Sequence, residues 1–96
     1  WRERVALIKA QSLAYDAAIA GVMESVIELE RREFDAHDAG LNYNDALVNS
    51  AYTDREVEGH EYALHKAVAR LEIAKAGVVT SAKILANARD AMGPNF

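Results

Sequence analysis

The sequence contains no cysteine, one proline and five glycines among its 96 residues. Without cysteine the chain forms no disulfide and offers no thiolate to a metal ion. The single proline, Pro94, stands close to the C-terminus, so proline interrupts no helix elsewhere. No run of about 18 uncharged apolar residues is present, which argues against a membrane-spanning helix. These absences favour an all-α chain without disulfides.

A basic surface is also missing. The chain has 15 acidic and 11 basic residues, and residues 24–61 carry a net charge of −8 while the remainder carries +4. Overall acidity and the lack of a basic stripe argue against nucleic-acid binding. We also expect no membrane association. A cytoplasmic location is favoured because no targeting segment is visible.

The second half of the chain shows a heptad pattern. One row consists of large apolar residues, and a second row, displaced by three positions, consists of small or polar residues. The first row is Val57, Leu64, Leu71, Val78, Leu85 and Met92; the second is His60, Ala67, Ala74, Ser81 and Ala88. This spacing predicts one long helix that packs closely against another helix, as in a coiled coil.

Local signals predict where two helices begin and end. The first helix is expected over about residues 3–39, because Gly40 suits the left-handed position after a helix C-terminus. A loop follows over residues 40–53, with Asp45 capping a short helical turn. Thr53 and Glu56 have the spacing of a capping box, which predicts a second helix over 54–92. Gly93 and Pro94 should end it.

The two helices can be aligned as an antiparallel pair. In the first helix the predicted core rows are Val5, Ser12, Ile19, Val26 and Glu33, and Ile8, Tyr15, Val22 and Leu29. Matching the predicted helix ends places Ser12 opposite Ser81 and Glu33 opposite His60. Polar layers of this kind can fix the register of a helix pair.

Both helices also carry a second stripe of apolar and small residues. The predicted interface residues are Ala6, Leu13, Ala17, Ala20, Ile27, Phe34, Ile73, Gly77 and Ile84. One partner helix cannot cover two stripes, and an alanine-rich hairpin has a thin core. We therefore expect an all-α antiparallel two-helix hairpin, which dimerises into a four-helix bundle. The partner is the chain itself, in a homodimer, or another helical protein.

Carboxylates and histidines gather near the predicted loop. Facing helices of a bundle can hold iron, zinc or manganese with such ligands, and the candidate set is Glu33, Glu56, His60 and His37. The Glu-x-x-His motif of ferritin-like di-metal proteins is not matched, because Val57 stands three residues before His60. The alternative is that Glu33 and His60 form a buried pair that fixes the register, without any cofactor.

No spacing typical of a catalytic site is present, so an enzyme is the less favoured hypothesis. The leading hypothesis is a non-enzymatic assembly module, an adaptor or chaperone-like protein that acts through its helix faces. One alternative is a metal-binding, ferritin-like four-helix bundle with a carboxylate and histidine site. A second is a small secreted helical hairpin that forms a heterodimer.

Overall fold

The chain is an all-α two-helix hairpin, as the sequence predicted. The computed structural model describes residues 1–93, and within this range there are two helices and no strand. Helix α1 spans Arg2–Val48 and helix α2 spans Asp54–Met92. Residues 49–53 connect them.

Helix α2 begins and ends where the sequence predicted. Thr53 Oγ1 accepts a hydrogen bond from the Glu56 amide at 3.2 Å, and Glu56 Oε1 accepts from the Thr53 amide at 3.3 Å. This reciprocal pair is the predicted capping box. After Met92, Gly93 has a φ of 51°, in the left-handed region that glycine adopts readily. Pro94 lies outside the described residues.

The predicted end of helix α1 is wrong. The helix does not stop at Ala39 but continues through Gly40 to Val48, and the expected loop over 40–53 shrinks to residues 49–53. Glycine inside a helix costs only about 1 kcal/mol relative to alanine. Beyond it Tyr43 is half-buried and Ala46 is only 2% exposed. Burial of these later residues outweighs the propensity penalty.

The longer helix also changes the predicted role of Asp45. This residue does not cap a separate helical turn but belongs to the last turn of α1, where its carbonyl accepts from the Asn49 amide at 3.0 Å. The connection is then closed by Asn49, whose side-chain Oδ1 accepts from the Ala51 amide at 3.0 Å. An asparagine side chain that bonds the backbone two residues on is a common turn device.

Residues that face the partner helix follow a heptad pattern in both helices, and we call these rows the seam. All eleven predicted seam residues of α2 are buried or half-buried, which confirms that prediction. In α1 the seam consists of Ile8, Tyr15, Val22, Leu29, Ala36 and Tyr43, and of Gln11, Ala18, Ser25, Arg32, Ala39 and Ala46. The predicted seam residues Val26 and Glu33 are exposed, and the residue before each, Ser25 and Arg32, takes its place.

The helices contribute to two compact units. The first, which we call the terminal unit, combines Trp1–Ile27 with the chain from Ala76 onward. In it the hydroxyl groups of Ser25 and Ser81 lie 2.5 Å apart. The predicted pair of Ser12 with Ser81 is therefore wrong, because the extension of α1 changes which residues lie opposite α2.

The second unit, which we call the turn unit, is Glu28–Lys75. Gly40 lies against Leu64 in it: a Cβ atom added at Gly40 would be 3.9 Å from Leu64 Cδ1. This contact places the N-terminal part of the α2 seam against a stretch of α1 that the sequence had assigned to a loop.

The core of the hairpin is thin. The buried residues among those described are three alanines, Ala18, Ala46 and Ala74, which are 7%, 2% and 8% exposed. The larger seam side chains stay half-buried. Because apolar burial contributes about 25 cal/mol per Å², a core of this kind contributes little stability for the chain's length. Additional apolar burial against a partner would stabilise the fold.

Candidate interaction surfaces

The predicted metal ligands do not converge. Glu33 and His37 are exposed, and Glu56 accepts the capping-box hydrogen bonds. His60 is half-buried and packs edge-to-face on Tyr52, with the ring centroids 5.5 Å apart and the ring planes at 77°. The prediction that Glu33 lies opposite His60 is a consequence of the wrong helix end, and the shared site it implied is not formed.

No other metal site replaces it within residues 1–93. Among these residues no group of three or more histidine, aspartate or glutamate side chains is arranged to hold a metal ion. His60 instead supports the turn: the Tyr52 ring that it contacts also donates its hydroxyl to Asp45 Oδ2 at 3.4 Å. The arrangement of residues 1–93 thus lends no support to an iron, zinc or manganese site, and the metal hypothesis stays a prediction.

The most extensive exposed apolar feature is a heptad row on helix α1, which we call the outer row. It consists of Ala6, Leu13, Ala20, Ile27, Phe34, Leu41 and Val48. All seven residues are exposed, and Leu13, Ile27 and Phe34 retain 70%, 63% and 69% of their accessible surface. A soluble surface ordinarily carries single apolar residues rather than an uninterrupted row of them.

The outer row extends beyond the predicted stripe. The sequence identified Ala6, Leu13, Ala20, Ile27 and Phe34, and the predicted Ala17 is exposed beside them. The predicted stripe did not include Leu41 and Val48. Both continue the seven-residue spacing, but they lay past the predicted helix end. Following the spacing through Gly40 would have found them.

The outer row and the seam lie on opposite sides of helix α1. At 100° per residue, the row is rotated about 170° from the centre of the seam rows. The seam uses Ser25 and Arg32 rather than the predicted Val26 and Glu33, which moves the centre of the seam away from the outer row.

The predicted stripe of α2 is not exposed throughout. Ile73 is 71% exposed in the turn unit, and Gly77 and Ile84 belong to the terminal unit. Gly77 is half-buried, and Ile84 is exposed beside the seam. The apolar surface of α2 is thus divided, and the outer row of α1 has no counterpart on it.

The terminal unit has an apolar groove beside its seam. Its volume is about 410 Å³. It is lined by Ala14, Ala17, Ala18, Gly21, Ser81 and Ile84. The small side chains of α1 leave this space because the nearest large apolar residue of α2, Ile84, borders the groove without filling it.

The turn unit has a smaller, charged cleft at the corresponding side of the seam. Its volume is about 110 Å³, and it is lined by Glu28, Arg32, Arg70, Ile73 and Ala74. Arg32 Nε lies 2.7 Å from Glu28 Oε1. Its Nη1 atom lies 3.5 Å from Asp35 Oδ2. This cluster makes the cleft an ion-paired surface rather than a site for an apolar partner.

No protein-family model, curated protein or solved structure matches this chain. Its function is therefore inferred from its own surfaces.

Helix α1 also meets a minimal criterion for membrane spans. It contains an 18-residue window with a mean hydropathy of 1.2, of which 6% is buried. Core helices of soluble proteins and signal sequences meet the same criterion. Lys9, Asp16 and Glu24 recur along the helix, and such residues at the bilayer centre cost about 2.5–3.5 kcal/mol each. The absence of membrane contact therefore stays a prediction.

Proposed function

We propose that this chain is a non-enzymatic protein–protein interaction module that binds a helical partner through the outer row of α1. One observation carries the proposal: seven apolar residues at heptad spacing, all exposed, on the side of α1 opposite its seam. Heptad rows bury against other helices through side-chain interdigitation. An adaptor or chaperone-like assembly protein acts through a surface of this kind.

The thin core supports the same proposal. Three alanines are the buried residues among those described, while Leu13, Ile27 and Phe34 remain mostly exposed. Covering these side chains would add the apolar burial that the hairpin lacks. The partner surface is helical, and two hairpins joined in this way form a four-helix assembly.

Thiol protection tests the proposal, since the chain has no cysteine of its own. Ile27→Cys places a probe in the outer row, and Ala69→Cys places a matched probe on an exposed position of α2. Maleimide reaction rates are measured in the purified chain and in an extract of the source organism. We expect the Ile27→Cys thiol to react at least tenfold more slowly in one of these settings.

Comparison of the purified chain with the extract distinguishes self-association from binding of a different partner. Protection in the purified chain indicates self-association, whereas protection only in the extract indicates a different partner. Equal rates for the Ile27→Cys and Ala69→Cys thiols in both settings would show that the outer row stays uncovered. In that case the proposed function is wrong.

A further inference from the structure

We propose that the partner on the outer row is a second copy of this chain, with the two α1 helices antiparallel about a two-fold axis at Ile27. This inference rests on the proposed function and specifies its partner. Ile27 is the middle residue of the seven, so only an axis at this position pairs all of them. A two-fold interface uses the same patch on both copies.

Two of the three crossed pairs of the row are complementary in size in this arrangement, and the third joins Leu13 to the partner's Leu41. Ala20 lies opposite the partner's Phe34, the largest residue of the row opposite one of the smallest. Ala6 lies opposite the partner's Val48. Close packing of large residues against small ones is what an interface core requires.

Charges beside the row are also complementary. Glu24 and Arg31 are exposed next to Ile27, on the same side of the row. The two-fold axis places Glu24 near the partner's Arg31, and symmetry makes this pair twice. Opposite charges across an interface favour the correct orientation more than they add affinity.

Other arrangements bring like charges together. An axis shifted by half a heptad toward the N-terminus sets Glu24 against the partner's Glu24, and the opposite shift sets Arg31 against the partner's Arg31. A parallel pair in register sets each row residue against its own copy, so that Phe34 stacks on Phe34 and the alanines face alanines. Like charges therefore disfavour the shifted antiparallel axes, and side-chain size disfavours the parallel pair.

The interface has the extent that a dimer needs. From Ala6 to Val48 the row is about 63 Å long at 1.5 Å per residue, and a helix with side chains is about 10 Å wide. Such a strip covers roughly 600 Å² on each copy, or about 1,200 Å² in total, at the lower end of the range for specific interfaces. We expect a dimer that dissociates on dilution.

The arrangement differs from a square four-helix bundle. In a square four-helix bundle the two contact faces of each helix lie about 90° apart. The outer row is about 170° from the seam, so α1 lies between its own α2 and the partner's α1. The four helices then form a layer with the α1 pair at its centre.

Cysteine cross-linking tests the register directly. Under mild oxidation we expect Ile27→Cys to form disulfide-linked dimers. A mixture of Ala20→Cys with Phe34→Cys should form mixed dimers, at least tenfold faster than either variant alone. Ala69→Cys is the control and should stay monomeric. Preferred self-linking of both Ala20→Cys and Phe34→Cys would mean a parallel pair and overturn the inference.

A charge exchange provides an independent readout in sedimentation equilibrium. Arg31→Glu should raise the dimer dissociation constant about three- to tenfold, and adding Glu24→Lys to it should restore the original value. Ala20→Glu should raise the constant more than tenfold, whereas Ala69→Glu should leave it unchanged. A double variant no tighter than Arg31→Glu alone would contradict the proposed pairing.

The failure of this inference is distinguishable from the failure of the proposed function. Weak specific dimers form at a concentration of roughly 100 μM. A folded monomer at that concentration would exclude the second copy as the occupant. Thiol protection of Ile27→Cys in an extract would then still support an interaction module with a different partner. If the chain is a folded monomer at about 100 μM and the Ile27→Cys thiol is also unprotected in the extract, both proposals are rejected.

Discussion

The terminal unit and the turn unit have the same kind of seam but different surroundings. Beside the seam the terminal unit carries small or apolar residues, and the turn unit carries mainly charged or polar ones. In the terminal unit these are Leu7, Ala14, Gly21, Gly77, Ile84 and Ala91; in the turn unit they are Glu28, Asp35, Asn42, Glu56, Ala63 and Arg70. The seam alone fixes the helix pair, whereas the residues beside it determine what else each unit can contact.

The contrast extends to the outer row. In the terminal unit Ala10, Ala17 and Met23 stand beside the row together with the charged Asp16 and Glu24. In the turn unit Phe34 and Leu41 project from charged surroundings. Small residues are thus more frequent beside the row in the terminal unit than in the turn unit. This difference supports the proposed antiparallel second copy.

The largest difference in stability between the two units is expected when a seam alanine is replaced by a larger residue. Ala46→Leu in the turn unit should lower the free energy of unfolding by about 1–3 kcal/mol, because Ala46 is 2% exposed and added methylenes must displace their neighbours. Ala18→Leu in the terminal unit should lower it less, since Ala18 borders the 410 Å³ groove. Urea denaturation of both variants measures the difference.

Ala69→Leu controls for the leucine side chain itself, because Ala69 is exposed on α2. It should change the free energy of unfolding by no more than about 0.5 kcal/mol. Equal losses for Ala46→Leu and Ala18→Leu would mean that the groove of the terminal unit does not accommodate a larger side chain.

A smaller effect should arise from the cap of helix α2, which belongs to the turn unit. Thr53→Ala removes the Oγ1 atom that accepts from the Glu56 amide at 3.2 Å. The expected loss is about 1 kcal/mol. Ser50→Ala is the control, since Ser50 is exposed in the connection before the cap. Thermal unfolding by circular dichroism measures both, and a similar melting temperature for the two variants would show that the capping box is not stabilising.

Sequence reasoning succeeded where one local signal decided the structure. The capping box at Thr53 and Glu56 fixes the start of α2, and the regular heptads from Val57 to Met92 fix its seam. It failed at Gly40, where a local helix-ending signal competed with seam contacts farther along the chain. Tertiary burial outweighs a propensity difference of about 1 kcal/mol. Only knowledge of the contact between Gly40 and Leu64 reveals which effect is larger.

The outer row was also predictable in part. Five of the seven outer-row residues follow from spacing alone, and Leu41 and Val48 were lost with the end of the helix. The alignment behind the metal hypothesis was wrong for a related reason: Glu33 was matched with His60 through a helix end that was too early. A register inferred from helix ends inherits every error in those ends, whereas a heptad row within one helix does not.

The position of Gly40 inside α1 leads to a third prediction. Gly40→Ala should raise the free energy of unfolding by about 0.5–1 kcal/mol, because alanine favours a helix and its Cβ would lie 3.9 Å from Leu64 Cδ1, an ordinary contact. Gly21→Ala is the counterpart in the terminal unit. It should raise the free energy of unfolding by a similar amount, since nothing lies within 4 Å of a Cβ atom added at Gly21.

Chemical denaturation at a low protein concentration keeps self-association out of this comparison. If Gly40→Ala instead lowered stability while Gly21→Ala raised it, Gly40 would have to adopt a conformation that disfavours a side chain. Helix α1 would then end near Ala39, and Leu41 and Val48 would leave the outer row.

The smallest expected effect concerns the ion pairs of the turn unit. Arg32 lies in the seam with its side chain 24% exposed, 2.7 Å from Glu28, whereas the 3.1 Å pair of Lys75 with Glu72 is more than half exposed on both sides. Arg32→Gln should lower the free energy of unfolding by about 0.5–1 kcal/mol and Lys75→Gln by less than about 0.5 kcal/mol. Raising the salt concentration should reduce the difference between the two losses only in part, because the arginine stem is also partly buried in the seam. Equal and fully salt-screened losses would mean that Arg32 acts as a surface charge, and the turn unit would then lack the ion-paired border that distinguishes it from the terminal unit.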